Sequence, residues 1–98
     1  MMAISFQWDL NKDAYNRKRH GISFDEASTV FYDENALLIH DPDHSVNENR
    51  YILMGISRKL NILIVCHCYK EKNQIIRIIS ARKATRKEKE KYLEARKI

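Results

Sequence analysis

The chain has 98 residues, 44% of them hydrophobic and 9% aromatic. That is enough for one modest core and not two, because a domain of this size hides only roughly 60 to 65% of the surface its unfolded chain exposes; one domain over 1–98 is expected. No stretch approaches the ~20 apolar residues that cross a bilayer, and the N-terminal residues lack the basic-then-apolar order of a secretion signal and reach Asp9 early, so a cytoplasmic protein is expected. Lys and Arg outnumber Asp and Glu by 18 to 13, a net charge of +5. The excess is local: residues 82–98 hold eight basic and three acidic side chains, leaving ten of each in 1–81. A basic segment suits a polyanion or an acidic partner, and equally a solvated helix face.

The first element is the alternating stretch "AISFQWD", a strand with Ile4, Phe6 and Trp8 on one face. Asp9 then caps a helix that runs from Leu10 to Gly21, where a residue without a side chain takes the left-handed conformation that ends helices. Arg17, Lys18, Arg19 and His20 crowd its last turn, where cations meet the negative end of the helix dipole. Ser23 and Glu26 read as a capping box opening a second helix, with Phe24, Ala27, Val30 and Phe31 at helical spacing. Short apolar runs follow: "ALLIH", "RYILMGIS", "NILIVCHCY" and "QIIRIISA", the last three joined by turns short enough for hairpins. They predict an antiparallel meander. Thr85 and Glu88 form another capping box, opening a final helix to Ile98 whose apolar residues are only Tyr92, Leu93, Ala95 and Ile98, which predicts loose packing or docking on a partner. The order β-α-α-β-β-β-β-α is that of an α+β domain with an antiparallel sheet and helices on one face.

Cys66 and Cys68 flank His67 in an apolar strand. Residues two apart share a face and make a poor disulfide, and zinc needs further ligands at spacings absent here, so both thiols are expected to pack and no metal or cofactor is expected. Regular alternation places Arg77 with Ile79 and Ala81, and Ile76, Ile78, Ser80 and Arg82 on the other face. Arg50, Arg77 and His67 on a sheet beside the basic residues of the last helix suit a phosphate, since guanidinium binds it in two-pronged fashion and imidazole titrates near neutrality. The alternative is ordinary pairing of Arg50 and Arg77 with Glu48 or other acids.

Three pieces, "FQWDLNKDAYNRKRHGISFDEASTVFYD", the "NENR" before "YILMG", and "RIISARKATRKEKEKY", together resemble the BrnT family of type II toxins, which is similar in fold to RelE-type ribonucleases. The family pattern falls on Trp8, Asn16, His20, Gly21, Phe24, Glu26, Ala27, Asp33, Glu48, Arg50, Gly55, Arg77, Ser80, Ala81, Arg82, Glu88 and Tyr92. One position departs: where the family usually has lysine before His-Gly, this chain has Arg19, which keeps the charge but not the ability to transfer a proton. The resemblance implies a ribonuclease that halts translation, a BrnA-like ribbon-helix-helix antitoxin that neutralises it, and operator DNA bound through that antitoxin. Metal-free RNA cleavage needs a 2′-hydroxyl activated, phosphorane charge stabilised and a leaving oxygen protonated. Arg77 and Arg82 with Arg50 are the candidate cations, and His20, His67 and Glu48 the candidate proton carriers, although His67, in the middle of an apolar strand, suits a hydrogen-bonded structural role at least as well. Lys18, Arg19, His67, Lys83 and Tyr92 are candidates for RNA contact, Tyr92 by stacking on a base or else by packing the last helix on the sheet. A non-catalytic nucleic-acid binder and a protein-interaction module are the alternatives.

Overall fold

The computed structural model describes residues 4–40 and 49–96. Its elements are β1 (Ser5–Gln7), α1 (Leu10–His20), α2 (Phe24–Thr29), one 3₁₀ turn (Val30–Tyr32), β2 (Leu37–His40), β3 (Tyr51–Ile56), β4 (Ile62–Lys70), β5 (Ile75–Lys83) and α3 (Arg86–Ala95). Local chemistry sets the helix ends. The Asp9 carboxylate accepts from the N–H groups of Asn11 (2.7 Å) and Lys12 (3.1 Å), and Gly21, at φ 71°, closes α1 by donating its N–H to the Arg17 carbonyl. The Thr85/Glu88 box on α3 is complete. The Ser23/Glu26 box is half made: Ser23 Oγ accepts from the Glu26 N–H at 3.0 Å, but the Glu26 side chain turns inward, accepting from Ser57 Oγ (2.6 Å) and Asn61 Nδ2 (2.9 Å).

The five strands lie in the order β1-β5-β4-β3-β2. β2 to β5 form the expected antiparallel meander. β1, however, runs parallel to β5, with Phe6 opposite Ile76 and Gln7 opposite Arg77, so the sheet is mixed rather than antiparallel. Hairpins fix direction only between the strands they join, and β1 and β5 are separated by the rest of the chain.

α2 and the residues on either side of it cover one face, packing Ile22, Phe24, Ala27 and Val30 on Leu53, Leu63, Val65, Ile76, Ile78 and Ala81, while α1, whose one buried residue is Asn16, lies against β5. The helices are not confined to that side. α3 lies on the other face, where Tyr92 packs with Met54, Ile64 and Ala84, bordered by Leu37, Ile52, Ile56 and Ile62. α3 is held at one point: Tyr92, its one buried residue, is fully covered and its hydroxyl donates to the Asp33 carboxylate. Asp33 also accepts from the Ile56 N–H at 2.8 Å. Its approach requires glycine at position 55, since a Cβ there would stand 2.9 Å from Asp33 Oδ2.

A β-bulge in the middle of the sheet decides which β5 residues share a face. Cys66 pairs with Ser80 but His67 pairs with Ile78, which leaves Ile79 as an extra residue on β5. Beyond it the alternation is reversed. Ile76, Ile78 and Ala81 all enter the core under α2, whereas Arg77 and Arg82 both fall on the α3 face, opposite Cys68 and Ile64 respectively. The expectation that these arginines face opposite ways is therefore corrected.

Candidate active site

The bulge is held by α1. Asn16 is buried, and its side-chain amide behaves like a short length of neighbouring strand: Oδ1 accepts from the Ala81 N–H (3.1 Å) while Nδ2 donates to the Ala81 carbonyl (2.8 Å) and to the Ile22 carbonyl (2.9 Å). β1 pairs only as far as Arg77, so beyond its end these backbone groups of β5 would otherwise lack partners. The same contact brings the C-terminal turn of α1 to the sheet. His20, Arg50 and Arg82 thereby line one cavity of about 240 Å³, with Ile52, Ile64, Cys66 and Ser80.

Arg82 is set by α3. Its guanidinium meets the Glu88 carboxylate in a two-pronged pair, Nη1 to Oε1 at 2.8 Å and Nη2 to Oε2 at 3.0 Å, with a further bond from Nη1 to the Lys83 carbonyl. Those hydrogen bonds hold the Glu88 carboxyl down to about 2 and raise Arg82 further above its ordinary value. The capping box fixes Glu88 in turn: its Oε1 accepts from the Thr85 N–H at 2.8 Å, and its own N–H donates to Thr85 Oγ1 at 3.2 Å. Two donors of the guanidinium remain for a ligand.

The other candidates separate. Arg77 shares the face but lies five positions from Arg82, roughly 15 Å along the strand, and its Nη1 donates to Gln7 Oε1 at 2.8 Å. As placed, Arg77 is turned to Gln7 and Arg82 to Glu88, so the two guanidinium groups are held by different partners. Lys18 and Arg19 are exposed in the last turn of α1 next to His20. Lys83 stands opposite Leu63, on the side away from Arg82. Tyr92 is buried under α3, which answers the choice between stacking and packing in favour of packing; desolvation, then the bond to Asp33, push its hydroxyl up to about 12. Glu48 lies outside the described residues.

His67 also departs from expectation. It is fully buried on the α2 side, edge-on to Phe31 at 4.7 Å, so as placed it cannot touch RNA. Its Nδ1 faces the Val65 carbonyl at 3.2 Å and its Nε2 the Tyr69 hydroxyl at 3.1 Å. A carbonyl only accepts, so Nδ1 carries the proton and Nε2 accepts from Tyr69. Burial lowers the His67 pKa, against the pull of the Val65 carbonyl, which keeps the ring neutral.

The residues that sequence reasoning did not single out for the site are Asn16, which ties α1 to the bulge, Glu88, which aims Arg82, and the cavity walls Cys66 and Ser80. The signal for Asn16 is its side-chain amide in a helix interior, where that residue type is a poor former unless it bonds elsewhere.

Residues 8–88 match the model of a family described as the ribonuclease toxin, BrnT, of type II toxin-antitoxin systems. The chain belongs to that family. It is thus a ribonuclease toxin, and membership of a type II system gives it a cognate antitoxin. The fold is similar to the crystal structure of the Brucella abortus ribonuclease toxin, BrnT, at a TM-score of 0.61 and 23% identity, covering 88% of this chain and 100% of that one. No curated protein matches the chain. Among the described residues no helix is long and apolar enough to cross a membrane.

Proposed function

We propose that the cavity between α1, β5 and the start of β3 is where RNA is cut. One observation carries this reading: His20, Arg50 and Arg82, drawn from three separate stretches of sequence, line the same cavity. Arg82 stabilises the charge that develops on the phosphorane, from a position fixed in advance by Glu88, so that little reorganisation accompanies the reaction. Arg50 adds a second cation. His20 is the group on the cavity wall able to move a proton, either from the 2′-hydroxyl or to the leaving oxygen. Glu48, two residues before Arg50, is a second candidate for the other proton transfer. Arg77 does not line this cavity and binds the RNA backbone beside it, with Lys18 and Arg19 extending the cationic surface past His20. The chemistry so assigned proceeds without a metal, the role of a Lewis acid falling to the guanidinium groups.

In this reading the toxin acts in the cytoplasm, is related to the RelE type of ribonuclease through its β-α-α-β-β-β-β-α order, and inhibits translation. Its antitoxin is of the BrnA kind, a ribbon-helix-helix protein that supplies the binding to operator DNA. The test is induction in a bacterial host with RNA integrity followed over time, alongside cleavage by purified protein. Arg82→Ala and His20→Gln are each expected to lower cleavage by about 100-fold or more, with growth restored. Arg77→Ala is expected to weaken RNA binding and its salt dependence more than turnover. Full toxicity of both Arg82→Ala and His20→Gln at equal expression would refute the site.

A further inference from the structure

We infer that Ser80 is a further catalytic residue: its hydroxyl donates a hydrogen bond to a non-bridging oxygen of the phosphate being cut, as the neutral partner of Arg82. This role rests on the assignment of the cavity lined by His20, Arg50 and Arg82 as the cleavage site.

The polar side chains that β5 presents on the α3 face are Arg77, Ser80 and Arg82, and the bulge puts them there. In a regular strand Ser80 would follow Ile76 and Ile78 into the core, where a hydroxyl without a partner is costly to bury. The extra residue at Ile79 sends it out instead, opposite Cys66, while Ala81 takes the place in the core. Both arginines are engaged within the chain. Arg77 donates to Gln7 at 2.8 Å, and Arg82 to Glu88 at 2.8 and 3.0 Å. Ser80 differs. It is exposed, it lines the cavity, and among the described residues its hydroxyl has no hydrogen-bond partner.

Its position suits the reaction. Ser80 precedes Arg82 by two residues on the same face, roughly 7 Å along the strand, and its short side chain rises from the sheet beside Ile52, Ile64 and Cys66. A phosphate drawn into the cavity by Arg50 and Arg82 meets the hydroxyl there. Both non-bridging oxygens gain charge as the phosphorane forms, and a donor already in place stabilises that charge without reorganisation. The backbone is fixed as well, because the N–H of the peptide group joining Ser80 to Ala81 donates to Asn16 Oδ1 at 3.1 Å. Cys66, on the strand opposite, cannot substitute: it is engaged elsewhere, and a thiol is a weak donor. Among the described residues no histidine or carboxylate hydrogen-bonds to Ser80, so the hydroxyl serves as a donor to charge and not as an activated nucleophile.

The test uses full-length toxin and a short RNA with a linkage that wild type cuts, made with oxygen throughout or with sulfur replacing one or the other non-bridging oxygen at that linkage. Cleavage by wild type, Ser80→Ala, Ser80→Thr and Arg82→Ala is followed over RNA concentration, so that kcat and KM separate, and Tm is recorded for each protein. Ser80→Ala is expected to lower kcat on the oxygen RNA about 10- to 100-fold, the effect of one hydrogen bond to a charged group. KM and Tm should change little, since the residue is exposed and its hydroxyl bonds nothing in the free protein. Ser80→Thr keeps the hydroxyl and should retain most of the rate. Sulfur accepts hydrogen bonds poorly, so on one of the two thio-substituted RNAs the difference between wild type and Ser80→Ala should nearly vanish. Equal rates for wild type and Ser80→Ala on all three RNAs, with Arg82→Ala inactive, would overturn the role of Ser80 and leave the cavity standing. A Ser80→Ala penalty of the same size on all three RNAs would overturn it too, because the hydroxyl would then touch neither oxygen. RNA left intact by wild type, or cut equally by wild type and Arg82→Ala, would sink the cavity assignment and the role of Ser80 with it.

Discussion

Replacing Asn16 by alanine tests whether one buried amide holds the proposed active site together. The substitution deletes three hydrogen bonds and leaves behind the Ala81 N–H, the Ala81 carbonyl and the Ile22 carbonyl. A buried backbone group left unpaired costs ~1 to 3 kcal/mol. Carbonyls tolerate this better than N–H groups and α1 ends near solvent, so the lower half of the range applies, giving ~3 to 5 kcal/mol in all. A domain of this length has a total stability of ~5 to 15 kcal/mol. The loss is therefore a large share of the whole, and at ~4 to 8 °C per kcal/mol it lowers Tm by at least ~12 °C. Chemical denaturation followed by far-UV circular dichroism gives the free energy directly. Where the variant still folds, cleavage falls as well, because the same contact sets both Arg82, one residue past Ala81, and His20, one turn past Asn16. A loss below ~1 kcal/mol with normal cleavage would refute the view that this amide substitutes for a missing strand. Such a result would mean that solvent satisfies Ala81 as well as Asn16 does.

Two further expectations concern α3. Tyr92→Phe removes a hydroxyl bonded to a carboxylate; it should cost ~1.5 to 3 kcal/mol and accelerate amide exchange in Arg86–Ala95, and unchanged exchange there would show that Tyr92 holds the helix by packing alone. Glu88, lowered from 4.5 to about 2 by Arg82, stabilises the folded state fully above pH ~4.5, and the contribution disappears as pH falls toward 2. Both side chains are partly exposed, Arg82 at 42%, so solvent screening reduces the effect to ~1 kcal/mol. Glu88→Gln keeps the helix cap and should be less stable than wild type by that amount at pH 7 but equal to it near pH 2; a gap that persists into acid would mean the ion pair is not its source.

What the sequence showed and what it hid have physical causes. Helix ends were legible because caps are local: Asp9, Gly21, Ser23 and Thr85 all sit where their chemistry predicted. The meander was legible because short turns allow only antiparallel neighbours. The parallel pairing of β1 with β5 was not, since nothing local links Phe6 to Ile76. Glu26 fitted a capping box by spacing, yet Ser57 and Asn61, more than 30 residues away, captured its carboxylate. His67 was a candidate for proton transfer and RNA contact because its ring titrates near neutrality, while its apolar strand suited a structural histidine equally; the tertiary pairing with Tyr69 and Val65 shows it to be a satisfied core histidine. His20, Arg50 and Arg82 were each picked individually, whereas their meeting in one cavity depends on long-range register.

The bulge at Ile79 is where fold and function meet most directly. Arg77 and Arg82 are five positions apart, an odd spacing that in a regular strand sends two side chains to opposite faces. One inserted residue makes the spacing even in effect, so that both arginines fall on the face that carries the cavity while Ile76, Ile78 and Ala81 all stay in the core. A bulge weakens a ladder by leaving a residue unpaired, and here the weakness is offset from outside the sheet, by Asn16 on one side and by Glu88 holding Arg82 on the other. Two helices thus hold the same short piece of β5, α1 at its open edge and α3 through Arg82 on one face, and they belong to the two ends of the chain. With the site where it is proposed, the cationic cavity is complete only when both ends have docked, and an antitoxin that displaced either helix would disarm the enzyme without touching RNA.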